Sequence, residues 1–200
     1  HKLMTVSLSY KKVKNYDKAL KIADRAVILF KEAEDFECLA KIEMNMGFIY
    51  CAKGDTDKSD YYLGNCKKLL RSSDIINLSR VYLNQARNAI NRDRLDDAKE
   101  YIENSLNMAI DAEDYDCQID CYSVLYDICT ADNDTKGCES ALEKKLSILE
   151  ALGRTEDLIE CTIDTGKYYK GIGDNKKYEE YMKKGYNMLS LYNSIKKVSI

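Results

Sequence analysis

The feature that most constrains this chain is a spacing. Ala19, Ala23, Val27 and Phe30 return in kind as Ser59, Leu63, Lys67 and Leu70, then as Ala98, Ile102, Leu106 and Ala109. Cys138, Leu142, Leu146 and Leu149 follow, then Tyr178, Met182, Tyr186 and Leu189, with shifts of 40, 39, 40 and 40 residues. Steps of four, four and three within each set describe one face of a helix. A second series precedes each of these: Ser7, Gly47, Ala86, Leu125 and Gly166, with Tyr10, Tyr50, Ala89, Ile128 and Tyr169 three residues on. Its shifts of 40, 39, 39 and 41 predict one extra residue between Ala131 and Lys136. Two helices per period give about five units, near 2–35, 36–74, 75–114, 115–154 and 155–194, forming a single domain over 1–200.

Composition agrees with long uninterrupted helices. The 200 residues contain no proline and nine glycines, and a proline inside a helix costs about 3 kcal/mol. Turn signals fall between the helices of each pair, at Gly54-Asp55, Asn91-Arg92-Asp93, Asp132-Asn133-Asp134 and Gly173-Asp174-Asn175. The first three links between units end in Asp35, Asp74 and Asp114, each suited to cap the next helix. Small residues in the second helices, such as Ala19, Ser59 and Ala98, or Ala26, Cys66, Ser105 and Gly185, let the next unit approach closely. One such pair cannot bury its apolar face alone, whereas stacked pairs can.

Other classes are disfavoured. A net charge of −3 with interspersed signs is no footprint for nucleic acid. No apolar run approaches the roughly 20 residues of a membrane span, and no secretory signal is present. Eight cysteines at mostly apolar helix positions read as reduced packing residues of a cytoplasmic protein. Cys117 and Cys121 stand one turn apart, but without a CxxC, and with His1 the only histidine, no metal site is expected. Nucleophile, phosphate-cradling and dinucleotide motifs are missing, so neither an enzyme nor a cofactor is expected. The chain begins at His1 rather than Met, the start expected of a piece lacking an upstream domain.

Met46-Gly47-x-x-Tyr50 and Thr165-Gly166-x-x-Tyr169, with Ala19-x3-Ala23 and Ala98-x3-Ile102, resemble the tetratricopeptide repeat (TPR) pattern W-x2-L-G-x2-Y…A-x3-F…P. At the Trp position stand Leu3, Glu43, Tyr82, Cys121 and Thr162, and the terminal Pro is missing. The resemblance implies an all-α, right-handed α-solenoid of about five TPR-like helix-turn-helix repeats with a period near 40. A longer repeat without Pro also resembles the C-terminal peptide-binding domain of Gram-positive peptide-pheromone receptors, the Rap, Rgg, NprR, PlcR and PrgX group.

If Gly47 and Tyr50 meet the partner helix, the face one residue on is left to line an inner surface. It carries Met44, Asn45 and Phe48, then Arg80, Leu83, Asn84 and Arg87, then Tyr122 and Tyr126. Apolar members would take ligand side chains, and Asn45 and Asn84 both donate and accept, as a peptide backbone requires. Arg80 and Arg87 suit a carboxylate. The same residue types at helical spacing also make ordinary core and solvated surface. The expected partner is a short peptide or protein segment in a concave groove, with no nucleic acid and no membrane. A homodimer contact through Tyr186 and Tyr192 is an alternative to their capping the stack. The resemblance implies the ligand-sensing half of a cytoplasmic peptide-responsive transcription regulator, as in quorum sensing. A constitutive interaction scaffold, or the sensory repeat of another signalling protein, is the competing reading.

Overall fold

A computed structural model describes residues 15–198. The described residues are helical, without strands. The helices are α1 (Tyr16–Glu32), α2 (Phe36–Ala52), α3 (Thr56–Leu69), α4 (Ile75–Ile90) and α5 (Leu95–Asp111), followed by α6 (Tyr115–Ala131), α7 (Thr135–Ala151), α8 (Thr155–Gly171) and α9 (Asn175–Val198). The expected first helix of the first unit, with Leu3, Met4, Ser7 and Tyr10, lies outside the described residues. The chain forms two compact units, the first ending at Val124 and the second beginning at Leu125, within α6.

Most connections follow one rule. A helix ends, one residue takes a left-handed conformation, and the next residue caps the following helix. The left-handed residue is Gly54 (φ 78°), Asn133 (φ 56°), Gly153 (φ 64°) or Gly173 (φ 81°), and Glu34, Asp93 and Glu113 take the same place at φ 52–55°. Glycine adopts this region without a steric penalty. Asp35, Asp55, Asp74, Asp114, Asp134 and Asp174 each accept the backbone N–H three residues on, satisfying a donor the helix leaves open. The three expected inter-unit caps are therefore present. Before α5 and α8 the capping residue is an arginine, Arg94 or Arg154, which pairs instead with Asp97 or Asp157.

The exception is the link from α3 to α4. α3 has 14 residues, Leu70 is extended (φ −75°, ψ 143°), and α4 starts 19 residues after α3 where other starts are 20 apart. The one-residue irregularity belongs here. Asp132-Asn133-Asp134 is an ordinary three-residue connection, so the extra residue expected between Ala131 and Lys136 does not exist. The residue of α6 equivalent to Gly47 is Tyr126, not Leu125, and the one equivalent to Tyr50 is Cys129, not Ile128. Hydrogen bonds support this register. Ser59 Oγ donates to the Gly47 carbonyl at 2.8 Å, and its equivalent Cys138 reaches the Tyr126 carbonyl at 3.9 Å. Looking for a small residue slid the sequence reading by one, because Tyr126 is large.

Within each unit the hairpins pack tightly. In the first unit, α2 packs on α3 and α4 on α5, while α1 on α2, α3 on α4 and α2 on α4 provide the stacking contacts. Ala19, Ala23, Ala26, Ile42, Met46 and Ile49 form one buried cluster, and Ala40, Met44, Leu63, Cys66 and Val81 form the next. Tyr50 stacks on Tyr62 with ring centroids 5.4 Å apart. In the second unit α8 packs on α7 and α9, and the equivalent Tyr169 and Tyr181 again lie 5.4 Å apart. All eight cysteines are thiols, seven of them buried.

A Cβ built on Gly47 would lie 2.7 Å from Leu63 Cγ, and one on Gly166 would lie 2.9 Å from Met182 Sδ. One on Gly64, inside α3, would meet nothing within 4 Å. Gly47→Ala is therefore expected to destabilise the protein by about 1–3 kcal/mol through overpacking. Gly64→Ala is expected to stabilise it by about 0.5–1 kcal/mol through helix propensity. Urea unfolding of the two variants checks both signs.

Candidate functional site

A cavity of about 390 Å³ opens in the first unit, lined by Phe48, Ala52, Arg80, Leu83, Asn84, Arg87, Asp116, Cys117 and Asp120. These residues come from three helices, α2, α4 and α6, the first helices of successive pairs. Corrected register explains the convergence. Phe48 and Arg87 are the thirteenth residues of their helices, and Arg80 and Asp120 the sixth, so equivalent helix faces turn towards one space.

Its electrostatics are those of paired charges. Arg80 donates through Nε (3.1 Å) and Nη2 (2.8 Å) to Oδ2 of Asp114, whose side chain is only 10% exposed. This pair ties α4 to the cap of α6. Arg87 stands looser, 3.9 Å from the Asp120 carboxylate, with both side chains substantially exposed. Asn84 is buried, its Nδ2 donating to the Arg80 carbonyl at 2.8 Å and its Oδ1 lying 3.5 Å from Arg87 Nη1. That amide is engaged in holding α4 and its arginines. Of the two cations, Arg87 is the one with a weakly held partner.

Five of the sequence-derived residues therefore line the cavity: Phe48, Arg80, Leu83, Asn84 and Arg87. Met44 packs in the core with Leu63 and Val81, and Asn45 is buried with it. Tyr122 is half-buried on α6 outside the cavity lining. Tyr126 belongs to the second unit, edge-on to Tyr168 at 5.7 Å. With α6 set one residue on, the row through Phe48 and Arg87 continues to Asp127, not Tyr126. Sequence reading missed Ala52, Asp116, Cys117 and Asp120. The repeat held the signal for Asp120, which shares a register position with Lys41 and Arg80. At the far end of the chain, Tyr192 donates to Glu156, which Lys196 also contacts at 2.7 Å, while Tyr186 is exposed.

Behind the cavity wall lies a buried polar cluster. Ser79 Oγ is 3.5 Å from Cys117 Sγ, and Ser105 Oγ is 3.1 Å from Cys121 Sγ. Each hydroxyl already donates to a backbone carbonyl, Ser79 to Ile76 at 2.8 Å and Ser105 to Ser79 at 2.7 Å. The hydrogen bond with Cys117, reinforced by burial, pushes the Cys121 thiol up. The cluster reads as structural glue between α4, α5 and α6. No group of three or more potential metal ligands gathers among the described residues.

The second unit has a smaller cavity of about 190 Å³, lined by Cys129, Thr130, Asn133, Thr135, Cys138, Tyr168 and Ile172. It opens where this repeat has Cys129 and Ala141 in place of the stacked tyrosines of its neighbours.

No protein-family model matches the chain, and no curated protein matches it. Solved structures do. The chain is similar to BtubC (BKLC) from P. vanneervenii, with a TM-score of 0.77 and 18% identity over 96% of this chain and 80% of that one. It is also similar to a Podosopora anserina protein of nearly identical TPR-like repeats described as a kinesin light chain, with a TM-score of 0.71 and 13% identity over 96% and 95% of the two chains. This likeness shows the fold. The chain has the all-α architecture of a TPR-like solenoid. No described helix is long and apolar enough to cross a membrane.

Glu43 occupies the TPR tryptophan position and is 3% exposed, with Asn65 Nδ2 at 3.3 Å. Burial pushes its carboxyl above the usual glutamate range, against the smaller opposing effect of Asn65. Ionised Glu43 thus costs stability above its raised folded-state pKa, and the cost vanishes below the unfolded value of about 4.3. Glu43→Gln is expected to raise the melting temperature at neutral pH, and the gain is expected to fade as pH falls through the raised carboxyl pKa and to be absent below about 4. Thermal melts of both proteins across pH check the sign and the window.

Proposed function

We propose that this chain is a peptide-binding module whose ligand enters the cavity between α2, α4 and α6. The carrying observation is convergence: apolar Phe48 and Leu83 stand beside Arg87, which lies 3.9 Å from the Asp120 carboxylate. An apolar ligand side chain would rest on Phe48 and Leu83. A ligand carboxylate, from a chain end or an acidic residue, would take Arg87 bidentately in exchange for Asp120. Arg80 has a positioning role, since Asp114 already holds it by two hydrogen bonds.

In the fuller form of this reading the module is the sensory half of a cytoplasmic peptide-responsive regulator. The likeness to pheromone receptors in repeat length and composition supports that form. Ligand bridging α2, α4 and α6 would favour one spacing of those helices, and differential affinity for two spacings is what a switch requires. With Asn45 buried and the Asn84 amide donating to the Arg80 carbonyl, this reading centres on Phe48 and Arg87.

A thermal-shift screen of five- to eight-residue peptides, followed by calorimetry on the tightest, tests this. Phe48→Ala with Arg87→Ala is expected to weaken that peptide at least about tenfold, or about 1.4 kcal/mol, without changing helicity. Amidation of the peptide's C-terminus, with any acidic side chains replaced by amides, is expected to weaken it similarly. Unchanged affinity in the double variant would place the site elsewhere, and no binder at millimolar concentration would contradict the proposal.

A further inference from the structure

The two edges of the first unit differ. One edge carries the turns within hairpins, around 52–58 and 91–97, and the other carries the connections between hairpins, around 31–37, 70–76 and 110–116. Among the described residues of this unit, the exposed large apolar side chains are Ile28, Leu29, Phe36, Tyr61, Ile76, Ile110 and Tyr115. All but Tyr61, which lies mid-helix in α3, stand at or just before the inter-hairpin connections, and none stands at the intra-hairpin turns. Phe36 (56% exposed) and Tyr115 (44%) are the first residues of α2 and α6, and Ile76 (46%) is the second residue of α4, so all three stand in the first turns of their helices.

Charge divides the same way. The three connecting windows hold nine acidic residues and two basic ones, in a chain whose net charge is −3. The two intra-hairpin windows hold five acidic and four basic residues. Part of the acidic set is committed: Asp35, Asp74 and Asp114 cap helices, and Glu37 pairs with Lys41. Glu32, Glu34, Asp111 and Glu113 add exposed carboxylates around the apolar row. Glu34 and Glu113 hold the left-handed position that glycine fills at Gly54, Gly153 and Gly173.

We propose that this edge is a docking surface, separate from the cavity, for a basic amphipathic helix. The occupant follows from charge and spacing. Apolar side chains set among carboxylates complement leucine-type residues set among lysines or arginines, and they repel nucleic acid and anionic lipid. The α2, α4 and α6 caps form one row, since Arg80 of α4 bonds Asp114 before α6, and Asp74 before α4 acts electrostatically on Lys41 of α2. Packed helices lie about 8–10 Å apart. A partner helix rising 1.5 Å per residue would therefore meet Phe36, Ile76 and Tyr115 with an apolar residue about every five to seven positions.

The probe is a fluorescein-labelled helical peptide of about 18 residues, with Leu about every seventh position and Lys flanking each, plus a version with Glu for every Lys. Anisotropy titration of the full chain is expected to show the Lys peptide binding at least about tenfold tighter than the Glu peptide. Phe36→Ser with Ile76→Ser and Tyr115→Ser, all exposed and so compatible with folding by circular dichroism, is expected to cost at least about tenfold. Asp57→Asn with Asp96→Asn and Asp97→Asn, on the other edge, is expected to change little, as is Phe48→Ala with Arg87→Ala. Equal binding by the apolar-row variant, loss in the cavity variant, an equal loss in the other-edge variant, or binding of neither peptide overturns the proposal.

Discussion

Everything in this structure depends on how closely the two helices of a pair approach. The contact is made where the Ser59 hydroxyl reaches the Gly47 carbonyl and Leu63 fills the space a side chain at 47 would take. Gly166 and Met182 repeat that contact, and Cys138 with Tyr126 gives a looser version. A backbone carbonyl capped from the neighbouring helix fixes rotation as well as distance, because a one-residue slip would turn both helices by about 100°. That rotation decides which side chains face the partner, which face the next pair, and which are left to line a cavity.

The cavity of the first unit is a consequence of this constraint. With α2, α4 and α6 held at fixed rotation, the thirteenth residues of α2 and α4 and the sixth residues of α4 and α6 converge, and the sequence has placed Phe48, Arg87, Arg80 and Asp120 there. Arg80 and Asn84 serve the scaffold: one holds Asp114 and the other spends its amide on a backbone carbonyl. Arg87 differs because its ion pair is long and exposed, and such pairs contribute little to stability.

The architecture was readable because packing is periodic. The spacing of Ala19, Ser59, Ala98, Cys138 and Tyr178 marks the second helices correctly, and the capping roles of Asp35, Asp74 and Asp114 follow from helix chemistry. The site was less readable. A rule that asks for a small residue misplaced α6, since Tyr126 keeps the register with its carbonyl, not with its side chain. That slip set Tyr126 in the row of Phe48 and Arg87. Met44 and Asn45 show a second limit, because a helix in a stacked repeat is covered on more than one side. Partner choice escapes sequence altogether: Arg80 finds Asp114 across 34 residues, and Asn84 turns back on its own helix.

The most direct test of the cavity's role is a ¹⁵N-correlation titration of the full chain with the tightest peptide from the screen. The account predicts shifts concentrated at Phe48, Leu83, Arg87 and Asp120, with the Arg87 side-chain Nε–H among the most perturbed signals. Shifts concentrated instead on the second helices α3 and α5, with Arg87 unmoved, would contradict it.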